Sequence, residues 1–145
     1  RVNSNGLSAI GVLQNMPELQ IFQASNNSIS DVSPLNSCTQ LVRLNLKNNQ
    51  VTTADFLSLM PLLTHVDISH NQIESLAGLE GNLAVNFIDA DYNRIKSISK
   101  LESCIMLVRM NLWDNPVNAD EVKQLQDIGI LINYNPKYVE PETES

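Results

Sequence analysis

Apolar residues return along this chain in a frame of 22 positions, not at a helical period. Turns of the frame open at Leu19, Leu41, Leu63, Val85 and Leu107. The fourth position is filled by Phe22, Leu44, Val66, Ile88 and Met110, and the sixth by Ala24, Leu46, Ile68, Ala90 and Leu112. The eleventh holds Ile29, Val51, Ile73, Ile95 and Val117, and the ninth is always asparagine: Asn27, Asn49, Asn71, Asn93 and Asn115. Positions 4 and 6 share one side of an extended segment, while 3, 5 and 7 share the other. The pattern therefore predicts one short strand per turn with a buried and an open face. A lone turn leaves its apolar face bare, and stacking turns joins those faces into one core. The asparagines are read as structural, because a buried bend leaves backbone groups in need of partners and an amide both donates and accepts.

The frame runs outward at both ends. Val2, Asn5 and Leu7 fill positions 6, 9 and 11 of a partial first turn. Ile132, Tyr134 and Val139 fill positions 4, 6 and 11 of a decaying last one, with Lys137 in the asparagine place. Between them, residues 118–129 read as a true helix. Asn118 and Glu121 form a capping-box pattern, Val117 and Val122 a hydrophobic staple, and Gly129 a stop. A short helical turn is expected within 51–63, where Thr52, Thr53 and Asp55 precede Phe56, Leu57 and Met60. A loosened loop is expected near Asn82, polar where Cys38, Met60 and Cys104 share its column.

The frame L-x-x-L-x-L-x-x-N-x-I, with second halves such as Ile29–Val32–Leu35 and Ile73–Leu76–Leu79, resembles the leucine-rich-repeat family in its 22-residue class. "ISDVSPL" (29–35) is similar to internalin-type repeats of bacterial surface proteins. "NRIKSISKLESC" (93–104) is equally similar to intracellular repeats of phosphatase-regulator type. The resemblance implies an α/β solenoid: a right-handed superhelix with a parallel concave sheet, short convex turns and a C-terminal helix cap. The repeat domain is expected over 1–139, with five full repeats and its cap from about residue 118, followed by an acidic tail or linker at 140–145.

Nine basic against sixteen acidic residues give a net charge of −7, which argues against a general binder of nucleic acid or anionic membranes. No apolar run is long enough for membrane insertion. The first residues, "RVNSNGLSAI", read as a cut and leave the compartment open. Cys38 and Cys104 lie three turns apart, roughly 14 Å at about 4.8 Å per turn. That exceeds disulfide reach, so both are expected free and buried.

Function is expected on the open face. Position 3 carries Arg43, His65, Phe87 and Arg109, position 5 Asp67 and Asp89, position 7 Lys47, Asp91 and Trp113, and position 8 His70 and Tyr92. Aromatic side chains and arginine dominate contact hot spots. These eleven are the candidate partner-binding residues, although Trp113, the single tryptophan, could instead pack on the cap. Asp67, Asp89 and Asp91 raise a calcium or acid/base alternative, opposed by the lack of a glycine-rich calcium loop and of a nucleophile–base pairing. "NNS" at 26–28 is a lone glycosylation sequon. The resemblance implies a non-catalytic monomer that recognises another protein through its concave sheet, without cofactor or metal, in a bacterial surface or secreted protein. The alternatives are a cytoplasmic scaffold of phosphatase-regulator or splicing-repeat type and, remotely, a hydrolase using Asp67 and Asp89.

Overall fold

A computed structural model describes residues 1–135. Six three-residue strands form one parallel sheet in chain order: β1 (Ile21–Gln23), β2 (Arg43–Asn45), β3 (His65–Asp67), β4 (Phe87–Asp89), β5 (Arg109–Asn111) and β6 (Leu131–Asn133). The register is the repeat itself, since Phe22 pairs with Leu44, Leu44 with Val66, and so on to Met110 with Ile132. The partial first turn joins the ladder, its Val2 N–H donating to the Gln23 carbonyl (2.8 Å) and its Ser4 N–H to that of Ser25 (2.9 Å).

Positions 4, 6 and 11 point inward along one continuous core, with Leu46, Ile68, Ile73 and Leu112 fully buried. Each such side chain contributes roughly 1.5–3 kcal/mol relative to exposure. The asparagine column closes the bends by repetition. Asn71 Nδ2 donates to the carbonyls of Leu46 (3.0 Å), Ile68 (3.0 Å) and Ser69 (3.1 Å), while its Oδ1 accepts from the Val51 amide (2.9 Å). Asn27, Asn49, Asn93 and Asn115 make the same connections in their own turns. Each amide thus stitches its own bend to the turn before it. No buried side-chain polar atom lacks a partner among the described residues.

Several local expectations change. The short convex turns are 3₁₀ segments, at Gly11–Asn15, Ser33–Ser37, Asp55–Leu59, Ala77–Leu79 and Leu101–Ser103, the one expected within 51–63 among them. The loop at Asn82 is held rather than loosened. Its Nδ2 donates to the Met60 carbonyl (3.1 Å), and its Oδ1 accepts from the amides of Ala84 and Val85 (2.9 Å each). Cys38 and Cys104 are free and buried, as expected. Their thiols lie against the carbonyls of Leu13 (3.5 Å) and Leu79 (2.9 Å) in the preceding turns, and burial pushes both pKa values up.

Helix α1 (Ala119–Asp127) caps the core with Val122 and Leu125. Asn118 Oδ1 accepts from the amides of Asp120 (2.9 Å) and Glu121 (3.2 Å), and Gly129 ends the helix at φ +100°. The other half of the capping box is absent. Glu121 reaches the preceding turn instead, accepting from the Ile98 amide (2.8 Å) and the Ser97 hydroxyl (3.1 Å), while the Asn118 amide donates to the Lys96 carbonyl (3.1 Å). Lys137, Val139 and the 140–145 tail lie outside the described residues.

Candidate functional site: the open face of the sheet

Constant register turns sequence columns into spatial columns. Arg43, His65, Phe87 and Arg109 stand side by side at the third position of successive turns. The His65 and Phe87 rings lie 4.8 Å apart at a 39° tilt, and the Arg109 guanidinium sits 5.3 Å from the Phe87 centroid, within cation–π range. Burial, with Arg43 and Arg109 adding repulsion, holds the His65 imidazole below its ordinary pKa, and Asp89 only partly offsets this. Its Nδ1 lies 2.9 Å from the Thr64 hydroxyl.

Beside this basic and aromatic strip runs an acidic one. Asp67 and Asp89 are register partners. Burial first, then Asp67, pushes the Asp89 carboxyl above the usual range, and Arg109 only partly offsets this. Asp67 is engaged locally, its Oδ1 accepting from the Ser69 amide (3.1 Å) and the Ser69 hydroxyl (2.6 Å). Asn45 and Asn111, in the same column, cap the amides of Lys47 (3.0 Å) and Trp113 (3.3 Å). The fifth position therefore shapes the strand end as well as facing outward, which its sequence variety concealed. Position 7 is not uniformly exposed either, since Ser69 is buried. A shallow cavity of about 140 Å³ is lined by Arg43, His65, Asp67, Phe87, Asp89 and Arg109 together with Gln23, Leu44, Asn45 and Val66. It gathers six of the eleven candidates.

The remaining candidates, Lys47, His70, Asp91, Tyr92 and Trp113, lie further along the strand direction, outside that cavity. His70 and Tyr92 stack at 4.3 Å and 18°, and His70 Nε2 is 3.8 Å from an Asp91 oxygen. The eighth position is left-handed in every turn where it is described, with φ between +53° and +58° at Ser4, Asn26, Asn48, His70, Tyr92 and Asp114. Asparagine, aspartate and, less readily, histidine accept that backbone; a bulky tyrosine is an outlier there. The preponderance of small polar residues in that column was the one sequence signal for it. Trp113 is 39% exposed, and among the described residues its indole makes no hydrogen bond and no ring contact. No group of three or more metal-ligating side chains is assembled among the described residues. None of their helices is long and apolar enough to cross a membrane.

Strands repeating every 22 residues, five 3₁₀ segments on successive turns followed by α1, and an asparagine ladder define a leucine-rich-repeat solenoid. Residues 17–59 and 39–81 match the family model for leucine-rich repeats in two copies. Over residues 17–81 the chain thus carries leucine-rich repeats, and its solenoid is internalin-like in fold. It superposes on an internalin, InlF, of Listeria monocytogenes with a TM-score of 0.82 at 22% identity, covering 92% of this chain and 42% of that one. For internalin C2 of the same organism the values are 0.78 and 24%, over 89% of this chain and 57% of that one. A pollen receptor kinase gives 0.75 and 20%, over 92% and 70% respectively. This chain thus spans about half the length of the two internalin structures. By sequence, no curated protein matches it.

Proposed function

We propose that this chain is a non-catalytic recognition module that binds a protein partner across the open face of its sheet. One observation carries the reading: the scaffold columns repeat while the outward columns do not, and the latter collect Phe87, Arg109, Tyr92 and Trp113 on adjacent turns. Such side chains bury large area with few rotatable bonds. Catalysis draws no support from the carboxylates, since Asp67 is bound to Ser69 and the cavity around Asp89, although it includes His65, is lined by no serine, threonine or cysteine nucleophile. The internalin-like fold supports a bacterial surface or secreted setting, and the module proposed here acts as a monomer.

The test is affinity capture with the wild type beside Phe87→Ala/Arg109→Ala and a convex-side control, Glu74→Ala. A partner retained by wild type and control but weakened at least about tenfold by the double variant supports the reading. Equal capture by all three sinks it.

A further inference from the structure

We propose that His70, Tyr92 and Trp113 form a docking ridge for a basic protein segment, whose lysine or arginine side chains stack on the aromatic faces beside Asp91. The inference rests on the recognition reading above and names the chemistry of the partner.

The backbone supplies the first argument. Position 8 is left-handed in all described turns, and Asn26 and Asn48 show which residue suits it, their side chains even bonding to each other at 2.9 Å. A tyrosine in that conformation is strained, so Tyr92 serves no need of the fold that asparagine would not serve better. Burial supplies the second argument. Tyr92 is 41% exposed and Trp113 39%, and the end of the core is closed by Val122 and Leu125 instead. The strained ring is therefore spent on the surface. Its stacking on His70 fixes both rings in place, which lowers the entropy lost when something docks on them.

Charge selects the occupant. Asp91 precedes Tyr92, Asp114 follows Trp113 and Asp89 lies on the strand leading in, while the chain as a whole carries −7. The nearest cation in the ridge's own columns is Lys47, two turns before Asp91. An Asp91 oxygen already reaches to 3.8 Å of the His70 ring nitrogen, so a cation at the edge of the stack meets ring and carboxylate together. An acidic segment would be repelled there. The ridge spans three turns, roughly 10 Å between its outer members, which suits a segment with several cations rather than one small ion.

Trp113 is the single tryptophan, so its fluorescence reports on the ridge. The probes are a blocked hexa-arginine peptide, a neutral glycine–serine peptide of equal length and N-acetyl-arginine amide. Wild type is expected to bind hexa-arginine and not the neutral peptide, more weakly at high salt. Tyr92→Asn leaves the charge unchanged and suits the backbone. It is expected to hold or raise the melting temperature and to weaken hexa-arginine binding about threefold to tenfold. Asp91→Asn is expected to weaken it as well.

Hexa-arginine binding unchanged in Tyr92→Asn would reduce the attraction to diffuse charge and overturn the proposal. A lower melting temperature in that variant would make the ring structural and overturn it too. Single arginine binding as tightly as the peptide would mark a small-cation site and likewise end it. A captured partner lost with Phe87 and Arg109 but indifferent to the ridge would leave the broader recognition reading standing alone.

Discussion

Asn71 holds four backbone groups with one side chain, and apolar truncation would strand the Val51 amide and the Leu46 carbonyl inside the core. Leaving a buried group unpaired costs about 1–3 kcal/mol. Asn71→Ala is thus expected to lower unfolding free energy by at least that much, read from the denaturant midpoint at unchanged slope. Asp89 tests the opposite sign. Its folded pKa is raised by burial and by Asp67, so the unfolded chain ionises first and folding is disfavoured once both states are charged. Its contribution is therefore most favourable below the ordinary carboxylate pKa and declines as pH rises through the raised value. Asp89→Asn is expected to raise the melting temperature at neutral pH, with the gain disappearing in acid. A constant gain across pH would assign it to packing instead. The asparagine column was legible in sequence because one chemical need selects one residue type. The left-handed eighth position was marked only faintly, by Asn26, Asn48 and Asp114, since Ser4, His70 and Tyr92 in the same column dilute that preference.

Elements were legible where periodicity is strong and veiled where a segment is short. Strands follow from alternation at positions 3 to 7, and α1 from Asn118 and Gly129. The 3₁₀ segments are three to five residues long and carry no helical stripe, so short convex turns were expected in general but only Asp55–Leu59, with its Phe56 and Leu57 pair, could be placed. Gly78 shows how closely these segments pack. A Cβ there would run into the Ala54 backbone carbonyl of the preceding turn, so no flexible side chain can yield. Gly78→Ala is expected to destabilise by about 1–3 kcal/mol through overpacking, and a melting curve matching wild type would show that the turns can part. Glu121 was foreseen as half of a capping box, but its carboxylate serves the Ile98 amide across the turn boundary. Sequence spacing within α1 cannot report a partner 23 residues away. Glu121→Ala is accordingly expected to cost about 1–2 kcal/mol. Amide exchange at Ile98 should quicken more than exchange at the Asn118 amide, the reverse of a closed capping box.

Across the whole molecule, each turn touches mainly its two neighbours, so stability accumulates along the stack and is smallest where a neighbour is missing. The candidate face was legible as a set of columns for the same reason: a constant register converts sequence spacing directly into adjacency. What escaped the sequence was the division of that face into a cavity around Phe87 and Asp89 and a separate stack of His70 on Tyr92, because side-chain direction at the strand end depends on the left-handed bend. The stacking principle itself can be tested on one repeated bond. Leu7 N–H donates to Asn27 Oδ1 at 2.9 Å, and Ile73 N–H donates to Asn93 Oδ1 at 3.0 Å. The two bonds match in partner and length, but the first lies half-buried in the first turn and the second is enclosed by turns on both sides. If bond geometry governed protection, the two amides would exchange alike. If opening spreads inward from the end, Leu7 should exchange at least about tenfold faster in the 145-residue polypeptide. Asn27→Ala should then destabilise less than Asn71→Ala, although Asn27 makes the corresponding bonds and one more, accepted from the Asn5 amide (3.0 Å). Equal exchange together with equal destabilisation would mean that the solenoid opens as one cooperative unit rather than turn by turn.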